Sequence, residues 1–94
     1  MKNPSDKKSY QSFLKLCTRA SSSEELEKIL DLFLTIEEKE ILSSRYQIIQ
    51  ALLEEKISQR EMAKTLGVSI SQITRGSNAL KTTSDELKQF IKKK

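Results

Sequence analysis

Two arginines and one glycine, namely Arg45, Arg75 and Gly76, could together bind a planar carboxylic acid. Gly76 lies inside a predicted helix, near the face that carries Ile73 and Leu80, where glycine costs about 1 kcal/mol relative to alanine. The missing side chain would leave a flat slot. Arg75 beside the slot could bind a carboxylate through two hydrogen bonds, and Arg45 could stack its guanidinium plane on a ring. The residues alone leave a second explanation equally open, that Gly76 only lets two helices approach closely.

The segment from Gln59 to about residue 80 has the pattern of a helix-turn-helix. Counted from Gln59, the small Ala63 falls where the two helices must cross closely, and Gly67 falls at the turn. Only Gly76 departs from the apolar pattern. The apolar side chains expected to lock the two helices at a fixed angle are Met62, Leu66, Val68 and Ile73. The same pattern also fits an ordinary helical hairpin in a bundle.

The exposed face of this motif favours DNA binding over the bundle. Its second helix presents uncharged hydrogen-bonding side chains suited to base edges and phosphates, namely Ser69, Ser71, Gln72 and Thr74. A second group is suited to phosphates and comprises Gln59, Arg60, Lys64 and Lys81. The sequence therefore predicts a DNA-reading surface next to the candidate slot.

These side chains are positioned by helices, since apolar residues recur at spacings of three and four and the chain has two glycines and one proline. The fold class predicted is all-α, with about six helices. Capping signals predict helix starts at Ser22 or Ser23, Thr35, Ser58 and Thr83. The first, third and fifth helices are predicted over about 6–19, 36–55 and 70–80. The second follows the cap at Ser22 or Ser23 and has Leu26, Ile29, Leu30 and Phe33 inward. The fourth runs from the cap at Ser58 to Gly67, and a short final helix runs from the cap at Thr83 through Ile91.

The length of 94 residues indicates one small domain, which buries a modest share of its surface and makes a dimer plausible. We expect residues 1–20 to form an N-terminal helix with a basic arm, and residues 21–94 to form the main helical domain. The net charge is +4 over 1–20, −5 over 21–54, +3 over 55–81 and +2 over 82–94. Basic flanks around an acidic middle indicate an anionic partner on one side.

Several classes of protein are excluded by what the sequence lacks. No run of about 20 apolar residues could span a membrane, and the N-terminus has no apolar signal core. The single Cys17 cannot form an internal disulfide, so a cytoplasmic protein is expected. The chain has no histidine, no glycine-rich phosphate loop and no cluster of metal ligands. We therefore expect neither an enzyme nor a metal site.

Beyond these patterns, the sequence resembles the bacterial tryptophan repressor (Trp operon repressor) family. The resemblance rests on "SQRE", "LG", "ITRGSN" and "LK" at their spacings, with "LFLT" and "SSRYQII" upstream and "ELKQFI" downstream, and it covers roughly residues 30–91. It implies a wholly helical, intertwined homodimer with two reading heads. It also implies a repressor of tryptophan biosynthesis or salvage genes that binds a palindromic operator with L-tryptophan as corepressor.

The resemblance also implies roles for individual residues. The indole ring would lie in the gap at Gly76, stacked on Arg45 of the partner chain, with its carboxylate on Arg75. The carbonyls of Leu32 and Leu34, with Thr35 nearby, would face the amino group, and Ala79 occupies a further ligand position. The positions that would contact DNA are Gln59, Arg60, Ser69, Ile70, Ser71, Gln72, Thr74 and Lys81.

Three residues depart from the family pattern. Ala79 replaces a serine that helps to hold the ligand amine, and one lost hydrogen bond is worth about 0.5–1.5 kcal/mol. Ala63 replaces a lysine, which removes one possible DNA contact. Gln72 replaces a threonine, and its longer amide could read adenine through two hydrogen bonds. These changes predict a shifted operator preference.

Two other functions compete with a tryptophan-gated repressor. The first is a helix-turn-helix protein that binds DNA without a ligand, against which the combination of Arg45, Arg75 and Gly76 argues. The second is a protein-interaction module without a DNA role, which would bind DNA only in the non-specific range of about 10⁻⁴–10⁻⁶ M.

Overall fold

The computed structural model describes residues 4–93, and these residues form six α-helices and no strands, which confirms the all-α prediction. The helices are α1 (Pro4–Thr18), α2 (Ser23–Phe33), α3 (Ile36–Glu54), α4 (Gln59–Leu66), α5 (Ile70–Lys81) and α6 (Asp85–Lys92). Over this range, none of the helices combines the length and the apolar character that crossing a bilayer would require.

Serine side chains start four of these helices. Ser22, Ser58, Ser69 and Ser84 each accept a hydrogen bond from the backbone N–H three residues further on, at 3.1–3.2 Å. The predicted caps at Ser22 and Ser58 are thus confirmed. The predicted cap at Thr83 is wrong, because its hydroxyl instead donates to the Ala79 carbonyl at 2.9 Å and helps to close the end of α5.

The turn between α4 and α5 depends on Gly67. Its backbone is left-handed, with φ 66° and ψ 37°, and its N–H donates to the Ala63 carbonyl. A side chain there would meet no atom within 4 Å, so the demand for glycine comes from backbone conformation and not from space. A left-handed backbone costs other residues roughly 1–2 kcal/mol. The turn predicted at Gly67, directly after the end of α4, is therefore confirmed.

The chain divides into two compact units, one ending at Thr35 and the other beginning at Ile36. The boundary expected near residue 20 falls between α1 and α2, inside the first unit. In that unit, Phe13 of α1 meets Phe33 of α2 edge-to-face, with ring centroids 5.1 Å apart. This aromatic contact ties the two helices of the first unit together.

The second unit packs α4, α5 and α6 against α3. Its core consists of Ile48, Met62 and Ile73, one from each of α3, α4 and α5, and Ile73 is fully buried. Around them pack the half-buried Ala51, Leu52, Ala63, Leu66 and Val68. The buried Gln50 amide donates to the Ile91 carbonyl at 2.9 Å and fastens α6 to α3. The apolar residues predicted to fix α4 against α5 therefore belong to one core.

Large apolar side chains remain exposed in both units. Leu32 is 80% exposed and Phe33 51% in the first unit, while Phe90 is 76% exposed and Ile36 75% in the second. Single exposed apolar residues are ordinary on protein surfaces. So many large ones on a small chain, beside a core of three buried apolar residues, are typical of a protein that buries more surface on association.

Candidate ligand pocket and nucleic-acid interface

A cavity of about 470 Å³ lies between α3 and α5 of the second unit. Its lining from α3 is Ile41, Arg45, Ile48 and Ile49, and its lining from α5 is Gln72, Arg75, Gly76 and Ala79. A single chain thus brings together Arg45, Arg75, Gly76 and Ala79, which the sequence predicted as ligand residues, although Arg45 was expected from the partner chain. It adds the three isoleucines and Gln72, which sequence reasoning did not assign to this site.

Gly76 brings α5 close to α3 at the cavity. A Cβ on Gly76 would lie 3.1 Å from Ile48 Cγ2, 3.3 Å from Leu52 Cδ1 and 3.6 Å from Ile49 Cδ1. The first two distances are tighter than ordinary van der Waals contact, so a methyl group there would require the Ile48 and Leu52 side chains to move by a few tenths of an ångström. Gly76 also lines the cavity. The close approach of the two helices is therefore observed at this position, while the ligand slot stays a prediction.

The chemistry of the cavity suits an aromatic anion. Its walls are mostly apolar, and its charged lining residues are the exposed Arg45 and Arg75, with no carboxylate among the residues that line it. A guanidinium offers paired N–H donors that match a carboxylate and a flat face that stacks on a ring. A few polar groups around an apolar cleft are typical of small-molecule sites.

The other predicted ligand residues, Leu32, Leu34 and Thr35, belong to the first unit. Leu34 ends α2 with an extended backbone, φ −111° and ψ 142°, and its N–H donates to the Leu30 carbonyl at 2.8 Å. Leu32 is largely exposed. Their role at a ligand amine stays a prediction.

The predicted DNA-contacting residues all lie on α4, α5 or the turn that joins them, and all of them are exposed. Gln59 and Arg60 begin α4, Ser69 caps α5, and Lys81 ends α5. The remaining members, all on α5, are Ile70, Ser71, Gln72 and Thr74. One continuous segment therefore carries both this surface and one wall of the cavity.

Ser69 and Gln72 have a structural task that the sequence prediction missed. They form a capping box: the Ser69 hydroxyl accepts from the Gln72 N–H at 3.2 Å, and Gln72 Oε1 accepts from the Ser69 N–H at 2.9 Å. The signal was present in "SISQ", which has serine and glutamine at capping-box spacing. Gln72 Oε1 already accepts one hydrogen bond in this capping box, and its reading of adenine stays a prediction.

The described residues contain no group of three or more histidine, cysteine, aspartate or glutamate side chains able to hold a metal ion. Cys17 is half-buried on α1, in the first unit. The chemistry of the site therefore rests on guanidinium, amide and apolar groups.

Comparison with known proteins gives a consistent result over nearly the whole chain. The family model described as Trp repressor protein matches residues 8–94. A protein of Chlamydia trachomatis serovar L2 named Trp operon repressor homolog is 46% identical over 93 residues, covering 99% of this chain and 98% of the relative. Proteins of the same name from Chlamydia caviae and Vibrio cholerae are 46% identical over 92 residues and 40% identical over 82 residues. These alignments cover 98% and 87% of this chain, and 91% and 80% of the relatives.

Proposed function

The chain belongs to the Trp repressor family, and we propose that it is a homodimeric transcriptional repressor that binds operator DNA with L-tryptophan as its corepressor. The observation that carries this proposal is the cavity between α3 and α5. One wall of that cavity is formed by α5, the helix whose exposed face carries most of the predicted DNA contacts. A ligand in the cavity therefore acts directly on the position of the reading helix.

Arg75 and Arg45 would hold the ligand in complementary ways. The Arg75 guanidinium would bind the carboxylate through two charge-assisted hydrogen bonds, and Arg45 would stack on the indole ring. The apolar walls formed by Ile41, Ile48 and Ile49 would exclude water from the ring.

Corepression would follow from the distance between α3 and α5. A ring inserted beside Gly76 would fix that distance and hence the angle at which α5 enters the major groove. Ligand and DNA would then each favour the same orientation, and such coupling is typically worth about 1–3 kcal/mol, which is roughly 5- to 150-fold in operator affinity.

Dimerisation supplies the second reading head that a palindromic operator needs. Helix-turn-helix dimers, the Trp repressor among them, contact half-sites about 34–36 Å apart or multiples of that distance. The exposed Leu32, Phe33, Ile36 and Phe90 offer the apolar surface that an intertwined dimer would bury. The genes controlled would be those of tryptophan biosynthesis or salvage, since tryptophan would be the signal.

Titration calorimetry of the purified protein with L-tryptophan tests this function, with indole and D-tryptophan as controls. We expect saturable binding at one ligand per chain. Gel-shift titrations with a selected operator duplex, with and without L-tryptophan, then measure the coupling. Absence of binding up to millimolar L-tryptophan, together with specific binding to the duplex, would favour the alternative of a ligand-independent helix-turn-helix protein.

The variant Gly76→Ala separates the two tasks of this glycine. We expect L-tryptophan to bind about 5- to 150-fold more weakly, because overpacking by a methyl group typically costs about 1–3 kcal/mol. The free energy of unfolding should change by less than about 1 kcal/mol, because the gain in helix propensity offsets the tight contacts with Ile48 and Leu52.

Calorimetry and urea unfolding measure the two quantities for Gly76→Ala. The control is Asn78→Ala, an exposed position of α5 that does not line the cavity. If Gly76→Ala lowers stability but binds L-tryptophan like the unmodified protein, the glycine serves helix packing alone.

A further inference from the structure

A second cavity of about 530 Å³ lies within the second unit, on the side of α5 that faces α6. It carries a concentration of lysines, with Lys81 from the end of α5 and both Lys88 and Lys92 from α6. The carboxylate in its lining belongs to Glu55. The remaining lining residues are Leu52, Leu53, Ile57, Ser58, Gln59, Met62, Ser77, Leu80 and Gln89.

The lining of this cavity carries more positive than negative charge. Across residues 4–93, none of the three lysine ammonium groups lies within 4.0 Å of a carboxylate oxygen, whereas Lys56 pairs with Glu54 at 3.9 Å. Three cations and one anion leave a formal charge of +2 at the cavity. Lys81 and Lys92 lie in the last turns of their helices, where a cation is also favoured by the helix dipole. Lys88 lies in the middle of α6, where that explanation does not apply.

Two residues of the predicted DNA-contacting set line the same cavity. They are Gln59, the first residue of α4, and Lys81, the last residue of α5. Lys88 and Lys92 of α6 therefore lie beside the end of the reading surface, on the rim where phosphate contacts are predicted. Lys88 is half-buried, and a lysine can bury its aliphatic stem while its ammonium group stays in water.

We infer that Lys88 and Lys92 extend the DNA-binding surface from α4 and α5 onto α6, where they contact the phosphate backbone of duplex DNA. This inference rests on the proposed function, which supplies the DNA. It assigns no base readout to α6, because lysine contacts to phosphates carry no sequence information. The affinity of the repressor for any duplex, operator or not, would then decrease more steeply with salt concentration than it would with the contacts from α4 and α5 alone.

The salt dependence of binding measures these contacts directly. The slope of log K against log salt concentration changes by about 0.9 for each phosphate contact on B-DNA. The double variant K88Q/K92Q should therefore lower the magnitude of the slope by about 1.8 per chain, or about 3.6 for a dimer with both chains on DNA. The probes are a duplex of scrambled sequence and a selected operator duplex, each titrated by fluorescence anisotropy at several potassium chloride concentrations.

Two further variants control for charge and for folding. K15Q/K28Q removes two lysines from α1 and α2 of the first unit and should leave the slope within error of the unmodified protein. K88R/K92R keeps both cations and should retain the full slope. Helical content by circular dichroism checks that all variants fold.

The outcomes separate this inference from the proposed function. A slope for K88Q/K92Q equal to that of K15Q/K28Q overturns the inference. So does saturable binding of inorganic phosphate that the double variant loses without any change in slope, because the lysines then hold a small anion. Failure of the proposed function appears differently, as equal affinity for operator and scrambled duplex with or without L-tryptophan, and the slope comparison on scrambled duplex remains decisive in that case.

Discussion

Replacement of Arg75 by alanine is expected to weaken L-tryptophan binding by about 10- to 150-fold, because hydrogen bonds to charged groups are worth about 1.5–3 kcal/mol. Arg75 is exposed and lines the cavity between α3 and α5, so its removal deletes a ligand contact without opening the core. Ligand-dependent operator binding should fall in parallel. Calorimetry measures the first effect, and gel-shift titration at fixed L-tryptophan measures the second.

Two variants test whether the effect comes from the guanidinium. Arg75→Lys keeps the charge but loses the paired donors, so an intermediate loss is expected. Arg60→Ala removes an exposed arginine of α4 that does not line this cavity. It should weaken DNA binding while leaving L-tryptophan binding unchanged. Equal losses of tryptophan affinity in Arg75→Ala and Arg60→Ala would argue against a carboxylate contact at Arg75.

Replacement of Phe90 by serine is expected to weaken dimerisation by about 10²–10⁴-fold. Burying a phenylalanine side chain is worth about 1.5–3 kcal/mol, and a two-fold symmetric interface loses that contribution twice. Phe90 is 76% exposed on α6, one helical turn from the exposed Leu87, and both are therefore available to a partner. Sedimentation equilibrium over a range of protein concentrations measures the dissociation constant.

The matched control for Phe90→Ser is Ile70→Ser. Ile70 is also a large exposed apolar residue, but it lies at the start of α5 among the predicted DNA contacts. Its replacement should reduce DNA affinity and leave the dimer intact. A dimer as stable in Phe90→Ser as in the unmodified protein would remove α6 from the interface and require another set of exposed apolar residues to form it.

Local signals explain why much of the fold could be predicted from the sequence. Serine caps and the left-handed Gly67 act within a few residues, so the helix bounds agree with the structure to within a few positions. The start of α6 was misplaced because "TTSDE" offers several hydroxyls. Ser84 is the cap in the structure, because the Thr83 hydroxyl donates its hydrogen bond to the Ala79 carbonyl of the preceding helix.

The residues of the cavity between α3 and α5 could be predicted from the sequence where their type is unusual for their position. Gly76 stood out because a missing side chain is unusual on an inward face, and Arg45 and Arg75 stood out because a guanidinium suits a carboxylate or a ring. All three line one cavity. Ile41, Ile48 and Ile49 were not assigned, because an isoleucine that lines a cavity has the same periodicity as one in a solid core. Gln72 was assigned to DNA because its amide can form hydrogen bonds with bases. In the structure, the same amide oxygen caps the N-terminus of α5.

The small core shared by α3, α4 and α5 has a consequence for the order of events in folding. Ile48, Met62 and Ile73 lie within a segment of 26 residues, so their contacts close short loops and can form quickly inside one chain. The exposed apolar residues would be buried only when two chains associate into the dimer. Refolding should then show a fast phase independent of protein concentration, followed by a phase whose rate rises with concentration. The cavity between α3 and α5 would form in the fast phase, because its lining comes from helices that pack within one chain, whereas a surface that spans two half-sites would form only in the second phase.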